Sequence, residues 1–404
     1  MSEKALGGVK VIECGSFVAA PYCAKLMADL GAEVIKIEPP GAGDIARRRG
    51  PFPDDIPHPE RSGLFLYLNT NKLGITLNLD LPTGQDILRQ LAASVDILIE
   101  DFPPGKMGEL GLGYDAVEEI NPRLIMTSIT PFGQTGPYRD YKAYYLNTYH
   151  ASGAGYLLPI GSPDLAREPI KGPGFVGEYD AGLAAAVATM GALYWCGMSG
   201  RGQHIDVSKQ ETLMALDKME LARFQTDGQN PSRGPSVAWV PPKPMRTKDG
   251  GYILIDSGRD NQWRGLVELM GNPEWTRDEK FSTDQGRHEH IGELREYMAD
   301  WAKDRTLDEL FHGIQRKGSP SAPVNSLEEV LSSPQFEARG FLTEVDHPEA
   351  GTLKYPTAPY HFSKTPWSVE RPAPMLGQHN EEVFGRYLGY SRQDLIKLRE
   401  AGII

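Results

Sequence analysis

Two carboxylates near the middle of the chain have the type and spacing to do chemistry. The tract Gly177-Glu178-Tyr179-Asp180-Ala181-Gly182-Leu183 opens a run rich in alanine and glycine. Gly200-Arg201-Gly202-Gln203-His204-Ile205-Asp206-Val207 follows one helix length later. The spacing predicts a small-residue helix over residues 179–196, entered at Glu178 and followed by a glycine-flanked strand. Backbone N–H groups at a helix entrance point outward without intrahelical partners. A carboxylate there is either a cap and dipole partner or an anion held for reaction. In the second role it can attack an activated carbonyl and split one group transfer into two easier steps. That needs nearby oxyanion donors and a pocket shielded from water. Asp180 offers a second carboxylate two residues on.

The elements that must position these residues alternate. Apolar runs at 9–13, 32–38, 74–79, 95–99 and 124–129 read as strands. Between them, 19–30 (interrupted early by Pro21), 83–94 and 114–120 read as helices. The expected fold is therefore α/β, with a Rossmann-like large domain built on a mostly parallel sheet covered on both faces. Its first turn, Gly15-Ser16-Phe17-Val18-Ala19, has one glycine and lacks the dinucleotide fingerprint, which argues against a nicotinamide dehydrogenase. A further helix is expected over 210–224 and a proline- and glycine-rich linker or active-site loop over 227–244. Beyond it, a turn and strand over 247–255 and helices over 263–270, 290–301 and 307–315 suggest a smaller α+β domain. The expected division is 1–225 for the first part of the large domain, 226–340 for linker and small domain, and 341–404 for a segment returning to the large domain.

At 404 residues the chain is long enough for two domains with sizeable cores. A net charge of −12 argues against a nucleic-acid partner, yet leaves room for a small anionic ligand held by a few local cations. No apolar run approaches the ~20 residues of a membrane span, and the first residues carry no secretory pattern. Cys14, Cys23 and Cys196 form neither a disulfide framework nor a metal site, and read as buried small hydrophobes in a reducing cytoplasm.

Several ordered segments resemble the family III CoA-transferases, the group that includes formyl-CoA transferase and the carnitine CoA-transferases. They are residues 7–13 and 28–38, Leu68-Asn69-Thr70-Asn71-Lys72, Glu100-Asp101-Phe102-Pro103-Pro104-Gly105-Lys106-Met107, residues 121–125, Gly133-Gln134-Thr135-Gly136-Pro137-Tyr138, Gln262-Trp263, Pro323-Val324-Asn325 and residues 374–380. The resemblance extends to the Glu178 tract, where the family carries an aspartate, whereas Asp180 is two residues late for that register. It implies transfer of CoA from an acyl-CoA, succinyl-CoA among the candidates, to a carboxylic acid through an enzyme anhydride and an enzyme–CoA thioester. CoA thioester would then be a substrate, with no resident cofactor and no metal. On the same basis Val18, Asn71, Lys72, Asp101, Phe102, Lys106 and Arg123 are the expected CoA-binding residues, with Lys72, Lys106 and Arg123 facing phosphates. Val18 stands where formyl-CoA transferase has a glutamine. Together with the apolar stretch Trp239-Val240-Pro241-Pro242, it suggests a bulkier, less polar acid. The family forms interlocked dimers, so a homodimer or a hetero-oligomer with a related subunit is expected, with neither nucleic acid nor membrane as partner. In a heteromer this chain could be the non-catalytic subunit, the active aspartate lying on its partner. An acyl-CoA racemase shares the fold, but its histidine position falls near Tyr144, and His150 comes a few residues later.

Overall fold

Short runs of branched aliphatic residues, each closed by Gly, Pro or Asn, set up the central sheet. The computed structural model describes residues 3–216, 218–234, 243–256 and 259–404. Strands β1 (Lys10–Glu13), β2 (Glu33–Glu38), β3 (Lys72–Thr76), β4 (Ile97–Glu100), β5 (Ile125–Thr130) and β6 (His204–Ser208) form one sheet in the order β3-β2-β1-β4-β5-β6. Every pairing in it is parallel. Helices α1 (Ala19–Ala28), α2 (Gly63–Leu68), α3 (Pro82–Ala92), α4 (Lys106–Glu109), α5 (Tyr114–Ile120), α6 (Tyr145–Ala151), α7 (Val176–Ser199), α8 (Lys209–Leu216) and α9 (Lys218–Asp227) surround it.

Alternating strand side chains split the core into two layers. Val11, Val34, Ile97, Ile99 and Ile125 pack with Ala24 of α1 and Ala181 and Ala185 of α7. Ile12, Ile35, Leu73, Leu98 and Met126 face the other way, toward Ile87 and Leu91 of α3 and Val117 of α5. Burial on both faces is the physical basis of an all-parallel sheet.

Three local expectations change. Pro21 does not interrupt α1, because it is the third helical residue, where no intrahelical acceptor exists for the N–H it lacks. Strand β3 runs over Lys72–Thr76 rather than 74–79, with the Leu77 N–H just beyond it still donating to Glu38 O of β2 (2.9 Å). Helix α7 starts at Val176, so Glu178 lies within its first turn. That helix, with 24 residues, is also long and apolar enough to cross a membrane by length and composition, contrary to the sequence reading. Its small residues instead let α1 approach closely. A Cβ on Gly182 would come within 2.6 Å of Ala19 O.

The chain divides into two units, 1–158 with 169–231 and 340–404, and 159–168 with 232–339. In the second, β7 (Met245–Arg246), β8 (Tyr252–Ile255) and β9 (Ser321–Pro323) form an antiparallel sheet. Its helices are α10 (Asp260–Met270), α11 (Asp284–Glu289), α12 (Ile291–Ala302), α13 (Leu307–Arg316), α14 (Leu327–Leu331) and α15 (Pro334–Ala338). Its core gathers Ile253, Trp263, Leu266, Phe281, Leu294, Leu310 and Ile314. Residues 159–168, placed by the sequence reading in the large domain, belong here because Ser162 N–H donates to Arg233 O (2.9 Å) and Arg233 donates to Leu165 O (2.8 Å). The expected loop over 227–244 is described only in part, and Trp239-Val240-Pro241-Pro242 lies outside the described residues.

In the first unit, the last segment supplies a hairpin of β10 (Leu342–His347) and β11 (Gly351–Pro356), then α16 (Asn380–Leu388) and α17 (Arg392–Glu400). Between hairpin and helices it runs beside β3. His379 N–H donates to Gly74 O (2.9 Å), Gly74 N–H donates to His379 Nδ1 (3.0 Å), and Thr76 N–H donates to Asn380 Oδ1 (2.9 Å).

Candidate active site

Chain order along the sheet reverses between β1 and β4, and the turns after these two strands diverge there. Open α/β sheets bind ligands in that crevice, at the carboxyl ends of the strands. A cavity of 360 Å³ lies at this place, lined by Gly15 and Ser16 after β1, Asp44 after β2, Asp80 after β3, and Asp101, Phe102 and Lys106 after β4. Gly15 is obligatory because a Cβ would come within 2.1 Å of Ala20 Cβ. Phe17 adopts φ 69°, a costly conformation for a bulky residue, and it aims consecutive N–H groups at carboxylates. Ser16 N–H donates to Asp101 (3.0 and 3.1 Å), and Phe17 N–H donates to Asp44 (2.9 Å).

Burial pushes the Asp101 carboxyl up to about 8, against the pull of the Lys209 ammonium. Burial likewise raises neighbouring Glu100 to about 7, although it accepts the Phe102 N–H at 2.7 Å. Glu100 lines a second cavity of 420 Å³ with Ser128 and His204, whose Oγ and Nε2 are 2.8 Å apart.

Glu178 is buried, 3% exposed, and Lys209 Nζ donates to its Oε2 at 2.7 Å. Lys209 opens α8 directly after β6, so it too belongs to the carboxyl end of the sheet. Aromatic pairs gather around the entrance of α7. Phe17 and Phe175 meet edge to face at 4.8 Å, Phe175 and Tyr145 at 5.0 Å, and Tyr22 and Tyr179 at 4.9 Å. Asp180 is turned about 200° around α7 from Glu178 and is half-buried, its carboxyl raised by burial. Tyr144 is exposed, and His150 is exposed in the last turn of α6.

The expected CoA-binding residues separate into two groups. Asp101, Phe102 and Lys106 line the first cavity together. Among the described residues, Lys106 keeps only long approaches to Asp80 (3.9 Å) and Glu109 (4.0 Å). Lys72 is not there. It is wholly buried, donating to Glu13 (2.7 Å), Pro21 O (2.7 Å) and Asn69 (2.9 Å). Glu13 also holds Lys36, which reaches Asp44 at 2.8 Å, so Lys72 belongs to an internal ion network beneath the cavity. Asn71 binds Asp29 and Ser368 O, and accepts the N–H groups of Glu370 and Arg371, which makes it a clasp for the last segment. Val18 is fully buried among Phe65, Leu68 and Ala373 and presents no side chain to the cavity, which removes the argument from it for a less polar acid. Arg123 precedes β5 and therefore stands at the amino end of the sheet, a strand length away from the cavity. Lys209, the ion-pair partner of Glu178, is the site residue that sequence reasoning did not single out. Its one signal was a cation directly after a parallel strand.

The sequence pattern of CoA-transferase family III matches residues 6–380. A succinyl-CoA–D-citramalate CoA-transferase of Chloroflexus aurantiacus is 36% identical over 403 residues, covering 99% of this chain and 98% of that one. A succinyl-CoA–L-malate CoA-transferase beta subunit of the same organism is 31% identical over 407 residues, covering 99% and 98%. The crystal structure of a CAIB/BAIF family protein from Brucella suis superposes with a TM-score of 0.83 at 30% identity, over 96% of this chain and 100% of that one. With its parallel sheet, its cavity at the strand ends and a match over nearly its full length, the chain belongs to CoA-transferase family III.

Proposed function

We propose that this transferase moves CoA from succinyl-CoA to a second carboxylic acid, and that Glu178 carries the CoA between them. The observation that carries the reading is a buried carboxylate in the first turn of a long helix, held by one ammonium at 2.7 Å. Two relatives that cover almost the whole chain have names that specify succinyl-CoA. The carboxylate attacks the thioester carbonyl, giving a mixed anhydride and CoA thiolate. The thiolate then attacks the Glu178 carbonyl, giving an enzyme thioester and the free acid. The acceptor acid reverses both steps. CoA is substrate throughout, and the chemistry asks for no resident cofactor. Asp101, Phe102 and Lys106 would receive CoA in the cavity, with Lys106 toward its phosphates.

Incubation with succinyl-CoA, borohydride reduction and peptide mapping test this reading. A reduced adduct at Glu178 is the expected result. Bound CoA without any adduct would shift the nucleophile to another chain, leaving this one a supporting subunit. That second reading is favoured by the relative named as a beta subunit. Association with another chain of the family, either identical or related, is supported by α7, where Leu183, Val187, Tyr194, Trp195 and Met198 form an exposed apolar set.

A further inference from the structure

We propose that Lys209 is the positioning residue for Glu178, aiming its carboxylate and keeping a countercharge in place while negative charge leaves it. The inference rests on the reading of Glu178 as the nucleophile.

Lys209 is the first residue of α8, and the turn before it is fixed by Ser208, whose Oγ accepts the Glu211 N–H (3.2 Å). A cation at a helix N-terminus faces the positive end of the helix dipole, so α8 itself gains nothing from a lysine there. The carboxylate does. Side-chain exposures of 13% for Lys209 and 4% for Glu178 put the pair out of water, where either charge alone is costly. The ammonium also acts on Asp101, a wall of the cavity, so its field spans from the ligand pocket to the nucleophile position.

The charge balance shows what this position does. When Glu178 oxygen bonds to the thioester carbon, the carbon–sulfur bond breaks and the negative charge passes to CoA sulfur. When that sulfur bonds to the Glu178 carbonyl carbon, the anhydride oxygen leaves with the charge as the free acid. No proton moves, and one negative charge is passed from carboxylate to sulfur to the departing carboxylate, beside Lys209 until that acid dissociates. An electrostatic partner already in place needs no reorganisation during such transfers. Glutamate reaches this lysine where an aspartate would stop one carbon–carbon bond short, ~1.5 Å.

The test uses Lys209→Met and Lys209→Arg in the full-length protein. CoA affinity is measured with free CoA, turnover as kcat and KM, and labelling of Glu178 by timed borohydride quench. The methionine variant is expected to bind CoA within about threefold of wild type while kcat and the labelling rate fall by ~100-fold, and arginine is expected to recover to within about tenfold of wild type. Labelling of the methionine variant within about threefold of wild type would overturn the assignment, as would an arginine variant no better than methionine. If the methionine variant does not fold, Lys209→Gln is read against the same thresholds. Absence of any Glu178 label in the wild-type protein sinks the nucleophile reading itself. A wild-type label with an unaffected lysine variant sinks only the role of Lys209.

Discussion

Both carboxylate oxygens of Asp101 accept the backbone N–H of Ser16, at 3.0 and 3.1 Å. This contact joins the turn after β4 to the turn after β1, across the place where chain order reverses, and so sets the width of the cavity between them.

Asp101 should also leave a signature in stability. Its folded value, about 8, lies above the ordinary 3.8, so the fold binds its proton more tightly than the unfolded chain does. Stabilisation from it is complete below the unfolded value and is lost as pH rises through 8. Glu100, raised to about 7, acts in the same direction. Asp101→Asn keeps an acceptor for Ser16 and removes the titration. Its melting temperature is expected to fall less than that of wild type between about pH 6 and about pH 9, each kcal/mol being worth roughly 1 °C in a chain of this size. Calorimetry at a series of pH values decides, and parallel curves for the two proteins would refute the assignment.

Glu178→Gln preserves volume and hydrogen bonding to Lys209 but removes the nucleophile. Transfer is expected to drop by at least ~1000-fold with the melting temperature nearly unchanged. Glu178→Asp keeps the carboxylate but draws it back from Lys209, and a displacement of that size is expected to cost about a hundredfold in kcat. Steady-state assays with purified variants measure both, and an aspartate variant as fast as wild type would show that the 2.7 Å pairing is not required.

Lys72→Met separates a structural lysine from a phosphate ligand. Removing one partner of a buried ion network costs about 3–5 kcal/mol, here by leaving Glu13 with Lys36 alone. Denaturant unfolding should show this loss, while KM for the acyl-CoA should stay within about twofold of wild type, since uniform binding is untouched. A large rise in KM at unchanged stability would contradict the buried network.

Much of the frame was legible because strands and helices of the sheet are bounded by strong turn residues. Helix 114–120 and the position of Glu178 near a helix entrance follow from such punctuation. What was not legible shares one physical origin. Charged residues read singly look solvated, whereas pairing over long separations decides their burial. Lys72 and Glu13 are 59 positions apart, and Lys209 and Glu178 are 31 apart. Arg123 was assigned without regard to strand direction. A residue just before a parallel strand and one just after it stand at opposite ends of the sheet, and only the second end holds the cavity.

Lys106→Ala addresses the cavity mouth. With only long approaches to Asp80 and Glu109 among the described residues, its charge is available for an anion, and its loss should raise KM about tenfold with little change in kcat. Titration at increasing salt provides the check. The wild-type affinity should weaken with ionic strength more steeply than the variant's, and equal slopes would remove Lys106 from the phosphate site.

The run of residues beside β3 carries a consequence for solubility. A parallel sheet that ends at β3 would otherwise offer unpaired N–H and C=O groups, a template on which a strand from another molecule could add. His379 and Asn380 occupy those groups at Gly74 and Thr76, and a Cβ on Gly74 would lie 2.7 Å from the Pro374 ring, so the cover fits without a gap. Residues 374–380 thus cover this edge of the sheet, and their loss would open it to strand addition from another molecule.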